Sequence, residues 1–376
     1  MKKILYVRSG PFKVDISRYN VQVIGLCKQL IEKGYDCDIM FYDDYDHDEE
    51  FAESKSTGRK IRILYRKGIR IFLTGIYPQI LKKEFLKQYD IVICTEYNQV
   101  MTPLVSRKHR NTIVYSGPYY STFRKKFFSP VYDFFFRRTI NRNVKKMIVK
   151  SELAKEYLGE KGYKNIEVVG VGLDYSKFEA ANSISEKTGE IVEFLQKEKT
   201  LLYVGSIDQR KNFGFLLQVF DKVNQKMPDV KLVVIGNGEE KYKMECLEGI
   251  SENSRKNIVW YKRIPNQEMK HIFSNATVFA LPSKNEIFGM VMLEAMYFGC
   301  PVVTSYHGGS STVIQNERQG IVLKEFDKEL WASNIEGLFE DEKRRNEISM
   351  NARKRIEDDF LWDSISEQFL RKIGEQ

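Results

Sequence analysis

The chain has 376 residues, of which 42% are apolar and 30% charged, and its formal net charge is +9. This balance excludes a disordered or fibrous chain, and the length predicts two domains of average size. No apolar run approaches the roughly 20 residues that cross a bilayer, and the start lacks the apolar region of a signal peptide. The five cysteines are scattered without C-x-x-C spacing, which predicts reduced thiols in a cytoplasmic protein, with no zinc site or disulfide frame.

Strands and helices alternate through the first half of the chain. A strand at 3–7 and a helix at about 21–33 come first. Alternation of this kind predicts a parallel sheet with helices on both faces. The further predicted strands of this half are 37–42, 61–65, 91–94, 112–115 and 147–149.

The second half repeats this plan after a more polar stretch at about 174–199, where we place the domain boundary. Two doubly wound, Rossmann-like α/β domains facing each other across a cleft are therefore predicted. Ligands of such sheets bind at the carboxyl ends of the strands. The predicted strands of this half are 201–204, 231–235, 258–260, 278–280 and 301–303.

The acidic run from Asp43 to Glu50 contains D-x-D spacings, a pattern that can hold a divalent metal. A solvated acidic loop is the preferred interpretation, and no metal is expected. The four histidines lack ligand spacing and a partnered nucleophile, so most are expected at the surface or in loops.

The positive charge is concentrated in residues 105–150, which contain twelve Lys or Arg and one acidic residue, Asp133. This segment carries +11, so the remainder of the chain sums to −2. Within it, residues 115–136 hold ten aromatic side chains interleaved with the cations. Basic and aromatic residues together are typical of surfaces that contact an anionic membrane. The candidate contacts are Arg124, Lys125, Lys126, Phe127 and Phe128.

Two other interpretations of this segment stay open. The aromatic side chains could pack inside the first domain, leaving the charges solvated. A nucleic-acid platform would use similar residues, but no nucleic-acid-binding motif is present and no nucleic-acid partner is expected. One helical face, which Pro130 is expected to interrupt, is approximated by Phe123, Phe127, Val131, Phe134 and Phe135.

The segment 282–303 holds the strongest signal. Glycine at 289 lets backbone N–H groups approach a ligand, and a helix starting at 288–290 favours an anion such as a diphosphate. Glu286 precedes this helix and Glu294 lies just over one turn inside it. Both carboxylates can therefore accept hydrogen bonds from hydroxyls on the same side of a ligand.

This segment resembles the E-x7-E signature of family-4 (glycogen-synthase-like) retaining glycosyltransferases of GT-B fold. The Pro-Ser before the first Glu, the Phe-Gly after it, the Leu-Glu-Ala-Met and the Gly-x-Pro-Val-Val all fit. The resemblance implies a nucleotide-sugar donor, no cofactor and no metal. It also implies an acceptor-binding domain at 1–175 with a final helix, 356–376, packing on it, and a donor-binding domain at 190–355.

The resemblance extends to the loop from Val204 to Asn212. Lys211 matches the family's diphosphate-binding lysine, whereas Ser206 stands where the family has an arginine, and Arg210 is the candidate substitute. A second departure is Thr312, at a position that is often acidic.

The resemblance assigns roles to further residues. It implies that Glu286 orients the sugar, that Lys211 stabilises the departing diphosphate and that Glu294 holds the ribose. The acceptor-domain histidine of many relatives is absent here, so Tyr119 or Glu96 are the candidates for positioning the acceptor. The implied catalytic residues are Glu286 and Lys211, and the implied donor-binding residues are Gly10, Ser206, Arg210, Lys211, Arg263, Ile264, Phe288, Gly289, Met290 and Glu294.

The sequence therefore predicts a retaining glycosyltransferase acting on a lipid-linked or polysaccharide acceptor in bacterial surface polysaccharide synthesis. It is expected in the cytoplasm, peripherally on the inner face of the plasma membrane. The alternatives are the same fold acting on a soluble acceptor, a sugar-nucleotide epimerase, or a non-catalytic nucleotide-sugar binder.

Overall fold

The computed structural model describes residues 2–16, 21–71, 74–123, 127–179 and 184–375. The chain forms two compact units. Unit 1 consists of Met1–Gly172 together with Trp362–Gln376, and unit 2 consists of Leu173–Leu361. No helix in these described ranges is both long enough and apolar enough to cross a membrane.

Unit 1 is built on an eight-stranded sheet of order β10-β9-β8-β7-β1-β2-β4-β3, parallel except for β3, which pairs antiparallel with β4. Strands β5 and β6 form a separate antiparallel ribbon. The strands are β1 Lys3–Val7, β2 Asp36–Tyr42, β3 His47–Glu53, β4 Lys60–Arg66, β5 Ile69–Ile71, β6 Thr74–Ile76, β7 Ile91–Thr95, β8 Thr112–Ser116, β9 Val144–Val149 and β10 Ile166–Val168.

The helices of unit 1 include the last helix of the chain. The central strands are almost wholly buried, as expected when helices cover both faces of a parallel sheet. In the first helix, Val23, Leu26, Cys27 and Leu30 recur at helical spacing and are all buried. The helices are α1 Gln22–Glu32, α2 Lys83–Leu86, α3 Met101–Ser106, α4 Phe128–Asn143, α5 Glu152–Glu160 and α16 Trp362–Ile373.

Helix α16 is fastened to unit 1 by an apolar face and by ion pairs at its edges. Phe369 packs edge-on against Tyr115, with ring centroids 5.9 Å apart. Lys372 lies 3.0 Å from Glu167, and Lys33 lies 2.8 Å from Asp363. The predicted final helix, 356–376, thus spans the end of α15 (Glu342–Asp359) and all of α16.

Unit 2 has a six-stranded, fully parallel sheet of order β13-β12-β11-β14-β15-β16. Its strands are β11 Thr200–Val204, β12 Lys231–Ile235, β13 Ile258–Tyr261, β14 Val278–Leu281, β15 Val302–Ser305 and β16 Ile321–Leu323. Its helices are α6 Ser176–Glu179, α7 Glu186–Lys197, α8 Phe213–Lys226, α9 Glu240–Glu248, α10 Glu252–Lys256, α11 Met269–Asn275, α12 Met290–Tyr297, α13 Ser310–Val313, α14 Lys328–Glu340 and α15, with a 3₁₀ turn at Asn266–Glu268.

The prediction of two doubly wound α/β sheets is confirmed, but the loop predicted for the acidic run was wrong in its second half. His47–Glu53 form β3, an edge strand. Its acidic side chains stay at the surface and face cations of the neighbouring strand: Asp48 lies 2.5 Å from Arg66, and Glu50 lies 3.3 Å from Lys60. Charged side chains suit an edge strand because they discourage pairing with other chains.

Candidate active site in unit 2

The candidate site of unit 2 lies where the order of its strands reverses. The chain runs from β11 outward to β12 and β13, then returns to place β14 on the other side of β11. Loops at the carboxyl ends of the two strands flanking such a switch point form the ligand-binding crevice of doubly wound sheets. These loops carry Ser206, Arg210 and Lys211 after β11, and Glu286 after β14.

Glu286 is held between two cations of the other loop. Its Oε2 accepts a short hydrogen bond from Lys211 Nζ and lies 3.4 Å from Arg210 Nη1. Arg210 Nη1 also donates to the carbonyl of Asn285 at 3.3 Å, and the Lys284 N–H donates to the carbonyl of Arg210 at 2.9 Å. The structure thus brings together three of the predicted site residues, and their trio carries one net positive charge.

Asp208 shapes the loop that presents these cations. Its Oδ1 accepts the backbone N–H of Lys211 at 2.7 Å, and its Oδ2 accepts the hydroxyl of Ser206 at 2.6 Å. Burial alone would raise the pKa of Asp208, but these hydrogen bonds outweigh it and lower the pKa below its usual value. Ser206, the departure from the family pattern, therefore serves the loop's own structure here.

The start of α12 lies beside Glu286 and His307. Gly289, immediately before the helix, has φ +79°, and a Cβ there would lie 3.1 Å from His307 Cε1 and 3.3 Å from Glu286 Cγ. Among the described residues no side chain caps this helix, so its first N–H groups remain available to an anion. Phe288 is buried and Met290, the first helical residue, is partly buried.

His307 lies buried beside Gly289. Its Nδ1 accepts the Ser310 N–H at 3.3 Å, so the proton of the neutral ring is assigned to Nε2, which lies 3.1 Å from Thr304 Oγ1. Burial lowers the pKa of His307 to about 4. The residue lies in a loop, as expected for most of the histidines, but its side chain is fully buried in that loop.

The remaining predicted donor-binding residues occupy different places. Glu294 is buried within α12. Arg263 and Ile264 follow β13, the arginine exposed and the isoleucine buried. A cavity of about 650 Å³ lies beside the site and is lined by Ser206, Arg210, Gly238, Lys241 and Tyr242, among others.

Other predicted contacts lie in or near unit 1. Gly10 follows β1 and lines a cavity of that unit. Phe127 and Phe128 are exposed at the start of α4, whereas Arg124, Lys125 and Lys126 lie outside the described residues.

Comparison with known proteins agrees with this arrangement. Residues 185–355, which hold every site residue placed in unit 2, match the family described as glycosyl transferases group 1. Over these residues the chain is similar to this family.

Two curated proteins show what the chain is similar to. The capsular polysaccharide biosynthesis glycosyltransferase CapM of Staphylococcus aureus is 29% identical over 61% of the chain and 60% of the relative. A Campylobacter jejuni enzyme is 28% identical over 48% of the chain and 49% of the relative; it is named GalNAc-alpha-(1->4)-GalNAc-alpha-(1->3)-diNAcBac-PP-undecaprenol alpha-1,4-N-acetyl-D-galactosaminyltransferase. The chain thus spans about half to three fifths of the length of the curated relatives it matches.

Solved structures show the fold of the chain. Anabaena Alr3699/HepE in complex with UDP superimposes with a TM-score of 0.73 at 15% identity, covering 100% of both chains. An Escherichia coli protein titled trehalose-6-phosphate, bound with UDP-2-fluoro glucose, gives a TM-score of 0.71 at 12% identity over 99% of both chains. The predicted GT-B fold is therefore confirmed.

Sequence reasoning missed two residues of this site. Asp208 follows β11 by a few residues and precedes two cations, a placement that could have suggested a loop-organising carboxylate. His307 follows β15 in a His-Gly-Gly run, but the sequence contained no sign that the imidazole is buried.

Proposed function

We propose that the protein is a retaining glycosyltransferase that transfers a sugar from a nucleotide-sugar donor to a lipid-linked or polysaccharide acceptor. The observation that carries this proposal is the Glu286 carboxylate held by Lys211 and Arg210 at the switch point of unit 2, beside the uncapped start of α12. Two cations and a helix start together attract a diphosphate, and the carboxylate suits sugar hydroxyls.

Glu286 pairs with both cations that would bind the donor's diphosphate. The trio carries one net positive charge, so an incoming diphosphate finds a partly neutralised site. The diphosphate would take over Lys211 and Arg210 and release the carboxylate toward the sugar ring. Glu294 would then hold the ribose, and Arg263 with Ile264 would contact the base.

The proposed reaction proceeds on one face of the sugar. The bond between the anomeric carbon and the diphosphate oxygen breaks, and the acceptor hydroxyl oxygen bonds to that carbon on the same face. The hydroxyl proton passes to the departing diphosphate. The protein's part is to position both substrates and to stabilise the negative charge on the leaving group, through Lys211, Arg210 and the start of α12.

The substitution Glu286→Gln tests this assignment. We expect transfer to fall by about a hundredfold or more, because the neutral amide orients the sugar poorly. Affinity for a nucleoside diphosphate should stay the same or rise, because the competing carboxylate charge is gone. Transfer is measured by release of nucleoside diphosphate from a panel of nucleotide sugars, and binding by calorimetry with UDP, GDP and ADP.

A matched control is Glu317→Gln, because the Glu317 side chain is 84% exposed and pairs only loosely with Arg344 at 3.6 Å. This variant should behave like the wild type. Loss of nucleoside diphosphate binding in Glu286→Gln would contradict the role given to Glu286. If the wild type isomerised a nucleotide sugar without transfer or hydrolysis, the epimerase alternative would replace the proposal.

For the acceptor side, the support comes from the exposed face of α4. We define the aromatic surface as Phe127, Phe128, Val131, Phe134 and Phe135. All five are exposed, with Phe134 at 81% and Phe135 at 64%. Large apolar side chains clustered in this way mark an interaction site.

The opposite face of α4 holds the helix rigidly on unit 1. The Tyr132 hydroxyl donates to the carbonyl of Tyr97 at 2.7 Å, and Asp133 lies 2.5 Å from Lys161. The aromatic surface is therefore presented outward by a fixed helix. Pro130, expected to interrupt the helical face, lies in the first turn of α4, where proline is tolerated.

We propose that the partner of this surface is an anionic membrane. Arg137, Arg138 and Arg142 lie on the same helix, and each cation near an anionic leaflet contributes about 1 kcal/mol. A peripheral position on the inner face of the plasma membrane would place the enzyme beside a lipid-linked acceptor. The names of the two relatives, a capsule enzyme and an enzyme of an undecaprenol-linked glycan, support an acceptor used in surface polysaccharide synthesis.

Vesicle flotation tests the membrane proposal. The wild type should float with vesicles containing phosphatidylglycerol and much less with pure phosphatidylcholine. The double substitution Phe134→Ser with Phe135→Ser should reduce flotation by about tenfold or more, since it removes two large apolar anchors.

The control for flotation is Met350→Ser, which removes an equally exposed apolar side chain from α15 of unit 2 and should leave flotation unchanged. If the wild type stays at the bottom of the gradient with anionic vesicles, the membrane proposal fails and the soluble-acceptor alternative is favoured. The donor-side proposal would be unaffected, because it rests on unit 2 alone.

A further inference from the structure

Unit 1 has a cavity of about 620 Å³ at its own switch point. In the strand order, β1 leads outward to β2 and β4, whereas β7 lies on the other side of β1. Arg8 directly follows β1, Glu96 directly follows β7, and Lys150 directly follows β9. All three line this cavity, although more than half of unit 1's sequence separates the first from the last.

Within the described residues, neither cation of this cluster is neutralised by direct contact. The Lys150 ammonium lies 5.3 Å from the centroid of the Tyr115 ring, and no hydrogen bond or ion pair joins it to another residue in those ranges. Partial burial lowers the pKa of Lys150 and that of Arg8.

Glu96 lies close to both cations, but its carboxylate is hydrogen-bonded to other residues. Its Oε2 accepts the Ser116 hydroxyl at 2.7 Å and the Gly117 N–H at 3.2 Å. Its φ is +65°, a left-handed conformation that costs a non-glycine residue free energy and is found mainly at functional sites. Lys13 and Asp15 also line the cavity, and Lys13 pairs with Asp43 and Asp44 at 2.7 Å. The Glu96 carboxylate is already held by the end of β8.

Several buried polar atoms along the same cavity have no partner in the described part of the chain. They are Nη1 of Arg8, Oγ of Ser9, Oγ1 of Thr95 and Oε1 of Gln99. Buried polar groups are almost always hydrogen-bonded, so a group of them around one cavity indicates a ligand that would complete their bonds.

We infer that Arg8 and Lys150 bind a phosphate-type oxyanion carried by the acceptor, as a phosphomonoester, phosphodiester or diphosphate. This inference rests on the proposed function, because it assigns the anion to the acceptor of that reaction. The guanidinium supplies paired N–H donors suited to phosphate oxygens, and the ammonium supplies a point charge. The volume of the cavity leaves room for a sugar ring next to the anion.

Calorimetry of the full-length protein with inorganic pyrophosphate tests the site. The variants are Lys150→Met, Lys150→Arg and, as the matched donor-side control, Lys211→Met. We expect Lys150→Met to weaken one pyrophosphate site by about tenfold or more, which corresponds to about 1.4 kcal/mol. Lys150→Arg should largely restore that site, and Lys211→Met should keep it. Unchanged pyrophosphate binding in Lys150→Met would overturn the inference.

Binding of UDP, GDP and ADP decides which substrate carries the anion. If the anion belongs to the acceptor, Lys150→Met binds the nucleoside diphosphates as tightly as the wild type, while Lys211→Met loses affinity. An equal loss in both variants would assign Lys150 to the donor's diphosphate and reject the acceptor assignment. Lys150-dependent pyrophosphate binding in a protein that transfers no sugar would reject the proposed transferase and keep the anion site.

Thermal unfolding separates a binding role from a structural one. A buried ammonium without a partner is costly, so Lys150→Met should leave the melting temperature equal or raise it. A lower melting temperature with unchanged pyrophosphate affinity would make Lys150 a structural residue and overturn the inference.

Discussion

The imidazole of His307 is neutral in the folded protein because burial lowers its pKa to about 4, from an ordinary value of 6.5. A neutral ring adds no charge beside Glu286 and Lys211. The charge balance of the candidate active site therefore depends on those two residues and Arg210, and His307 does not change it as the pH falls from neutral toward about 5.

Stability, in contrast, should depend on pH through this residue. The unfolded chain takes up a proton at His307 below pH 6.5, whereas the folded chain does so only near pH 4. The contribution of His307 to the free energy of unfolding is therefore complete above pH 6.5 and is lost as the pH falls toward 4. The loss amounts to about 3 kcal/mol at most.

We expect His307→Gln to flatten this dependence, because glutamine does not titrate. Urea unfolding of the wild type and the variant is compared across the window from pH 6.5 to 4, and the variant should lose less stability on acidification. Met350→Ser, which changes no titrating group, serves as the control and should follow the wild type. Equal slopes for His307→Gln and the wild type would contradict the prediction.

Single residues were predictable from the sequence only where a motif surrounded them. Glu286, Glu294 and Lys211 stood out because their neighbours matched a family pattern in order. Arg8 and Lys150 had no such surroundings, and Lys150 was only one of the twelve cations counted in residues 105–150. A lysine at the end of a strand is solvated or buried according to which other strand ends lie beside it. The local sequence does not predict the order of strands in a sheet.

At the scale of elements, α16 packs on unit 1 with very little free space around its first side chain. The Trp362 side chain packs against two glycines of unit 1. A Cβ on Gly25 would lie 2.2 Å from its Nε1, and a Cβ on Gly172 would lie 2.5 Å from its Cδ2. Two backbone segments approach the indole so closely that no side chain fits between them.

Gly25→Ala should therefore displace Trp362 and loosen α16. We expect a loss of about 1–3 kcal/mol, typical of overpacking, and faster hydrogen exchange of the amides of 362–373. Gly159→Ala is the control, because a Cβ on this glycine of α5 would have no atom within 4 Å and the helix gains from alanine. Unaltered exchange in Gly25→Ala would show that the packing adapts.

Elements of regular pattern were predictable, and those that depend on a partner were not. The buried strands and α1 appeared in the sequence as apolar runs and helical spacing. Strand β3 did not, because His47–Glu53 is almost entirely polar and becomes a strand only through pairing with β4. Edge strands of this kind depend on the neighbour that they hydrogen-bond to and not on a hydrophobic face.

At the scale of the whole molecule, the two units place charged residues at the same point of the fold but pair them differently. Strand ends at the switch point of each doubly wound sheet carry cations and a carboxylate: Arg210, Lys211 and Glu286 in unit 2, and Arg8, Lys150 and Glu96 in unit 1, where Lys13 and Asp15 also line the cavity. In unit 2 the carboxylate pairs with the cations, whereas in unit 1 it is bound by the end of β8. The alternation of strands and helices predicted both sheets, but this difference between their sites required the side-chain contacts.

The place of α16 in unit 1 also has a consequence for biosynthesis. A ribosome completes every residue of unit 2 before it makes Trp362, so the indole that fits between Gly25 and Gly172 reaches them last. Domains usually fold in the order in which they are synthesised. Here the unit that begins first is finished second, and a stop codon late in the gene would spare unit 2 while leaving the unit at the start of the chain incomplete.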